Sequence, residues 1–176
     1  MIMPRGQPLL LPASPVFMTA TLAVALALMM LQNMLVGSGG AWLPDWLALT
    51  LLFWTVHQPL RVGMLAAFAL GLCLDVHQGG LLGQHALAYS VLSYLGTAVH
   101  RRLLWFTVPS QAVQVLPIFI AVTALSTGVR MLFGAHFPGW LLVLAPLLQA
   151  ALWPLVSRLL LAPQRRAPDP DANRPL

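Results

Sequence analysis

Lysine and glutamate are both missing from this 176-residue chain, and only 7% of it is charged. The thirteen charges are nine Arg and four Asp. A soluble domain carries roughly 25% charged residues, enough to cover its core with a hydrated shell. Thirteen charges cannot do that for a chain that is 59% hydrophobic with a mean hydropathy of +0.83. The composition excludes a soluble globular fold and points to a polytopic membrane protein. Cysteine is nearly absent too. Cys73 is the only one, so no intrachain disulfide can form and the fold does not depend on an oxidising compartment. Cys73 lies within an apolar run, where a buried thiol is expected.

What is present is a series of apolar runs, at about 16–36, 42–58, 61–76, 82–99, 108–133 and 138–161. Each break carries turn or breaker residues: Gly37-Ser38-Gly39-Gly40, His57-Gln58-Pro59, His77-Gln78-Gly79-Gly80, His100-Arg101-Arg102 and Gly134 to Pro138. The expected fold is an all-α integral membrane protein, a compact bundle of about six transmembrane helices. Residues 1–15, with four prolines, and 163–176, rich in Pro and Arg, are expected to be mobile tails. The first run is too long for the apolar region of a signal peptide, and a single Arg precedes it. The second and third runs are short. Sixteen or seventeen helical residues reach roughly 25 Å against a hydrocarbon core of about 30 Å, which suits a shallow hairpin packed inside the bundle.

The net charge of +5 raises the question of nucleic acid, but the arginines sit at the ends of apolar runs. With six spans and the N-terminus inside, the inner segments hold Arg5, Arg61, Arg101, Arg102, Arg158, Arg165, Arg166 and Arg174, and the outer ones only Arg130. That bias places both termini in the cytoplasm and predicts no nucleic-acid partner.

An ionisable residue inside a span is costly and is a candidate for function. Asp75 is the clearest case. Near the C-terminal end of its span it opposes the helix dipole, so it needs a partner. Arg130, at a similar depth near the outer end of the fifth span, is the natural candidate, although it can equally snorkel to the headgroups. Gly63, Ala67, Gly71 and Asp75 recur every four residues. Gly83, Ala86, Ser90, Ser93 and Thr97 form a matching stripe on the next span. Small faces let membrane helices approach closely, so spans three and four are expected to pack backbone to backbone. Asp45, after Pro44, suits the N-cap of the second span. Gln32, Asn33, Gln111, Gln114 and Gln149 can hydrogen-bond between helices, and Pro117, Pro146 and Pro154 can kink the last two spans. Asp75, His77 and His85 make a metal site on paper, but no HxxxH or HxxE spacing accompanies them, and no metal or cofactor is expected. Nucleophile-elbow and phosphate-loop patterns are absent as well.

Several of these residues resemble a known family. The series Leu43-Pro44-Asp45-Trp46-Leu47, Phe53-Trp54 and Pro59-Leu60-Arg61-Val62-Gly63 is similar to the first half of the MreD family of rod shape-determining proteins. Ala67 through Gly71 to Asp75, then Gly79, then Leu82-Gly83-Gln84-His85-Ala86-Leu87, looks like that family's G-x-x-x-D, G-x-x-L-G and A-L series. Leu152-Trp153-Pro154 and the basic stretch Arg158 to Arg166 resemble its C-terminal end. The resemblance covers about 40–102 well and 146–166 moderately. It implies a non-enzymatic protein of the bacterial cytoplasmic membrane that helps direct lateral peptidoglycan synthesis. The implied partners are the scaffold MreC and, in the wider complex, RodA, a class B penicillin-binding transpeptidase and MreB. The implied fold is similar to the S components of vitamin transporters. On that implication a second function is open, a small-molecule-binding or transport subunit with Asp75, Gln84 and His85 in its pocket. A third, an enzyme acting on lipid-linked substrates, lacks the paired acid and base it would need.

Overall fold

The computed structural model describes residues 14–164, so Arg5, Arg165, Arg166, Arg174 and all of the expected tails but residues 14–15 and 163–164 lie outside the described residues. Pro15 opens the first helix, and 163–164 close a 3₁₀ turn rather than belonging to a tail. Six α-helices fall on the six apolar runs: α1 Pro15–Val36, α2 Trp46–His57, α3 Met64–Gln78, α4 Gln84–Leu104, α5 Val108–Leu132 and α6 Leu144–Leu161. Among the described residues there are no strands. Short 3₁₀ turns follow α1 at Gly37–Trp42 and precede α6 at Trp140–Val143. Three segments are long and apolar enough to cross a membrane: Pro15–Val36, Val108–Leu132 and Trp140–Gln164.

The other helices differ from these for physical reasons. α2 has only 12 residues, about 18 Å of helix, and every residue from Leu47 to Val56 is buried. A helix that is apolar all round has no face to offer water, and this one is enclosed by its neighbours. α3 and α4 form an antiparallel hairpin, with the α3 C-cap glycine Gly79 in the left-handed conformation at φ 61°. α4 does not stop at His100-Arg101-Arg102 but continues to Leu104. Arginine is a good helix former, and cations in a last turn complement the carbonyl end of the dipole. Pro117 and Pro154 sit inside α5 and α6, while Pro146 falls in the first turn of α6, where a missing N–H costs nothing.

In lipid, helix association rests on dispersion and polar links rather than on water exclusion. Both are visible here. Trp54 and Trp153 are fully buried beside Phe53. Each of three indoles donates to a neighbouring helix: Trp46 to Gln32 Oε1 at 2.9 Å, Trp54 to Thr21 Oγ1 at 2.9 Å, and Trp153 to Gln111 Oε1 at 3.2 Å. Gln84 Nε2 donates to Ser126 Oγ at 2.9 Å, tying α4 to α5. Among the described residues Gln114 makes no such link. Cys73 is exposed on the outside of α3, not buried, because the buried face of that helix is the Ala67–Gly71–Leu74–Asp75 side.

Candidate functional site

Of the glycines described, the one most closely faced by another backbone lies between α3 and α4. A Cβ built on Gly71 would stand 2.5 Å from both Cα and N of Ala86 and 2.6 Å from the His85 carbonyl carbon. Nothing but glycine fits between those two backbones. Gly63 has open space around its Cα and serves as the α3 N-cap, so the close approach is concentrated at Ala67 and Gly71 rather than spread along the stripe. On its other side α4 meets α2 through Gly96, whose added Cβ would lie 2.8 Å from Leu52 Cδ1. Ser90 Oγ donates back to Ala86 O within its own helix, at 2.7 Å. Ser93 is fully buried and its hydroxyl has no partner, as is true of Ser157.

This approach carries Asp75 onto the start of α4. Asp75 Oδ1 accepts from His85 N at 2.9 Å and stands 2.7 Å from His85 Nδ1. Oδ2 accepts from Gly83 N at 2.9 Å and Ala86 N at 3.2 Å. A carboxylate is an acceptor only, so the His85 tautomer at that contact carries its hydrogen on Nδ1. The first N–H groups of a helix have no intrahelical partners, and α4 has no side-chain cap of its own: its N-cap is Gly83, at φ 95°. The acid of the preceding helix fills that role. One arrangement offsets two costs, the carboxylate at the wrong end of α3 and the uncapped start of α4.

The pairing of Asp75 with Arg130 is thereby corrected. Asp75 forms its ion pair with His85, and Arg130 is exposed. Similar depth on two helices does not bring side chains together when a nearer set of donors, eight to eleven residues along the chain, takes every lone pair. His77 turns to the Met30 carbonyl of α1 at 3.3 Å, so it does not join Asp75 and His85. No group of three or more His, Cys, Asp or Glu is poised for a metal ion among the described residues.

Asp45 supports a second contact at the same end of the bundle. Its Oδ1 accepts from Ala48 N at 2.8 Å, capping α2, and its Oδ2 accepts from the Tyr89 hydroxyl at 2.6 Å. Gln149 Nε2 reaches the Asp45 carbonyl at 3.4 Å. Asp45 thus joins α2, α4 and α6. Tyr89 was not legible as a site residue in the sequence; one signal was its place one turn after His85, on the buried side of α4. Tyr89→Phe is expected to lower the thermal unfolding midpoint by a few degrees, about 1–3 kcal/mol for a bond to an ionised acceptor. A melt of the purified variant matching the parent would show that the bond contributes nothing.

These contacts wall a cavity of about 570 Å³ whose lining includes Asp45, Gln84, His85, Tyr89, Arg130 and Gln149. It lies where α1, α3 and α5 end and α2, α4 and α6 begin, so the helices run up and down. Arg61, Arg101, Arg102 and Arg158 lie at the other end of the bundle.

The whole helical region, residues 13–162, matches the family model for the rod shape-determining protein MreD. A curated rod shape-determining protein MreD from Haemophilus influenzae (strain ATCC 51907 / DSM 11121 / KW20 / Rd) is 32% identical over 121 residues, covering 66% of this chain and 72% of that protein. The chain belongs to the MreD family. It is a non-enzymatic rod-shape membrane subunit of the rod-shape complex, and the comparisons do not favour the transport-subunit alternative. No solved structure matches the chain, so the likeness to S components remains an implication of the MreD resemblance.

Proposed function

We propose that this MreD protein sits in the bacterial cytoplasmic membrane with both termini in the cytoplasm, and that it organises lateral peptidoglycan synthesis by holding MreC. RodA, a class B penicillin-binding transpeptidase and MreB belong to the wider assembly in this reading. The observation that carries it is the family match across the whole helical region. The orientation rests on arginine: four of the five described arginines lie at the end of the bundle away from the cavity. Asp75, with Gly71 and Ala67, sets the rigid α3–α4 hairpin, and a rigid hairpin presents a constant outer surface to a partner's membrane helix.

Depletion in the native cell, paired with pull-down of the tagged protein, tests the function. Rods that round up, with MreC and RodA recovered, are the expected result; unchanged shape with no wall-synthesis partner would remove the reading. Asp75→Asn then separates packing from docking. Lost abundance assigns the residue to folding, and normal abundance with lost MreC assigns it to the interface. Orientation has its own measurement. In a Cys73→Ser background, a cysteine at Gly80 should react with a membrane-impermeant maleimide in intact cells. A cysteine at Leu60, fully exposed at the opposite end, should react only after permeabilisation. The reverse pattern would invert the topology.

A further inference from the structure

The cavity is not simply a gap between helix ends. Its volume, about 570 Å³, lies within the range of sites for small organic molecules. Two residues of its lining each bury an amide atom that lacks a partner: Gln149, only 3% exposed, its Oε1, and Asn33 its Nδ2. One is an acceptor and one a donor, and both residues line the cavity. A buried polar atom without a partner costs free energy, and an apolar occupant would leave that cost in place. Both atoms are closed to a water-sized contact as the side chains stand, so each amide must turn to present its atom to the cavity, where hydroxyl groups, which both donate and accept, answer both.

Charge narrows the choice further. Arg130 lines the same cavity, and with His136 it lines an adjoining hollow of about 230 Å³ that shares Ala41, Thr127 and Pro138. No carboxylate among the described residues pairs with Arg130. The one acid that lines the cavity, Asp45, already accepts from Ala48 N and from Tyr89 Oη, so it competes neither for Arg130 nor for a cationic ligand. A guanidinium with no internal acid is suited to a phosphate oxygen. Apolar surface is also present, from Met29, Phe119 and Val122.

We propose that this cavity binds a phosphate ester of a polyol, with the phosphate on Arg130 at the mouth and the hydroxyl groups on Asn33 and Gln149 inside. A soluble polyol phosphate and the glycerol-bearing headgroup of an anionic phospholipid share this chemistry.

The experiment separates the two sources. The full chain is reconstituted in phosphatidylcholine nanodiscs and titrated with sn-glycerol 3-phosphate, with inorganic phosphate at matched ionic strength as the comparison and tryptophan fluorescence as the readout. In parallel, protein from mixed phosphatidylcholine–phosphatidylglycerol nanodiscs is analysed by native mass spectrometry for retained lipid. Saturable binding of glycerol phosphate, weakened about tenfold in Arg130→Gln and by several-fold in Gln149→Leu, supports a soluble ligand. Selective retention of phosphatidylglycerol, lost in the same variants, supports a headgroup. Thermal melts establish that each variant is folded, and Asn33→Leu replaces Gln149→Leu if that one is not. Neither probe binding, retention unchanged in Arg130→Gln, or inorganic phosphate binding as well as the ester would each overturn the proposal. Cell shape plays no part in these readouts, so their failure leaves the rod-complex reading as it stands.

Discussion

Asp75→Ala is expected to lower the thermal unfolding midpoint of the purified protein by about 10 °C. The substitution removes an acceptor of four hydrogen bonds and exposes three backbone N–H groups to a site with no replacement. Breaking a buried charged contact from one side costs about 3–5 kcal/mol, and each kcal/mol moves the midpoint of a chain this size by roughly 2–4 °C. Asp75→Asn should fall between the parent and the alanine variant. Its amide oxygen can still accept, but its NH₂ meets donors on the other side. Fluorescence-monitored melts in detergent measure both. An alanine variant melting within about 2 °C of the parent would mean that α4 does not depend on this cap.

Gly71→Ala should cost about 2–3 kcal/mol, a large effect for a single methyl group. The atoms it would meet are Ala86 Cα and N and the His85 carbonyl carbon, all backbone, so no side chain can turn aside. The helices must separate. Asp75 lies one turn further along α3, so separation also draws the carboxylate away from its donors. Gly71→Ala and Asp75→Ala should therefore be non-additive, the double variant losing less than the sum. Gly128→Ala is the control. Nothing lies within 4 Å of its added Cβ, and alanine is the better helix former by about 1 kcal/mol, so this change should be neutral or stabilising. Equal losses at positions 71 and 128 would remove the close-packing argument.

The sequence carries the helices and the need for compensation at Asp75 more clearly than it carries the compensating group. Period and breakers place six apolar runs because each helix is a local event. The continuous apolar stretch Leu47 to Val56 also signals a helix enclosed on all sides, since it offers no polar stripe. Asp75 stands out because a charge in an apolar run demands an explanation. Its partner was misjudged because depth along a helix is legible and azimuth is not. The missing clue was Gly83-Gln84-His85, a helix start with no Ser, Thr, Asp or Asn to cap it, preceded eight residues earlier by a carboxylate. The cavity was beyond reach for a different reason: its lining comes from all six helices, and no local pattern encodes a surface that exists only after assembly.

The two acids at the cavity end of the bundle also constrain the order in which the chain can settle into a bilayer. Asp45 finds the Tyr89 hydroxyl, and Asp75 finds the amides of Gly83, His85 and Ala86. All of those donors belong to residues 83–89, which leave the ribosome after both acids have done so. Until that stretch emerges, α2 is too short to span by itself and α3 ends in an unanswered charge. α2 and α3 therefore reach the translocon incomplete, whereas α1 is long enough to cross by itself, and the arrival of the first two turns of α4 makes them fit to leave it together.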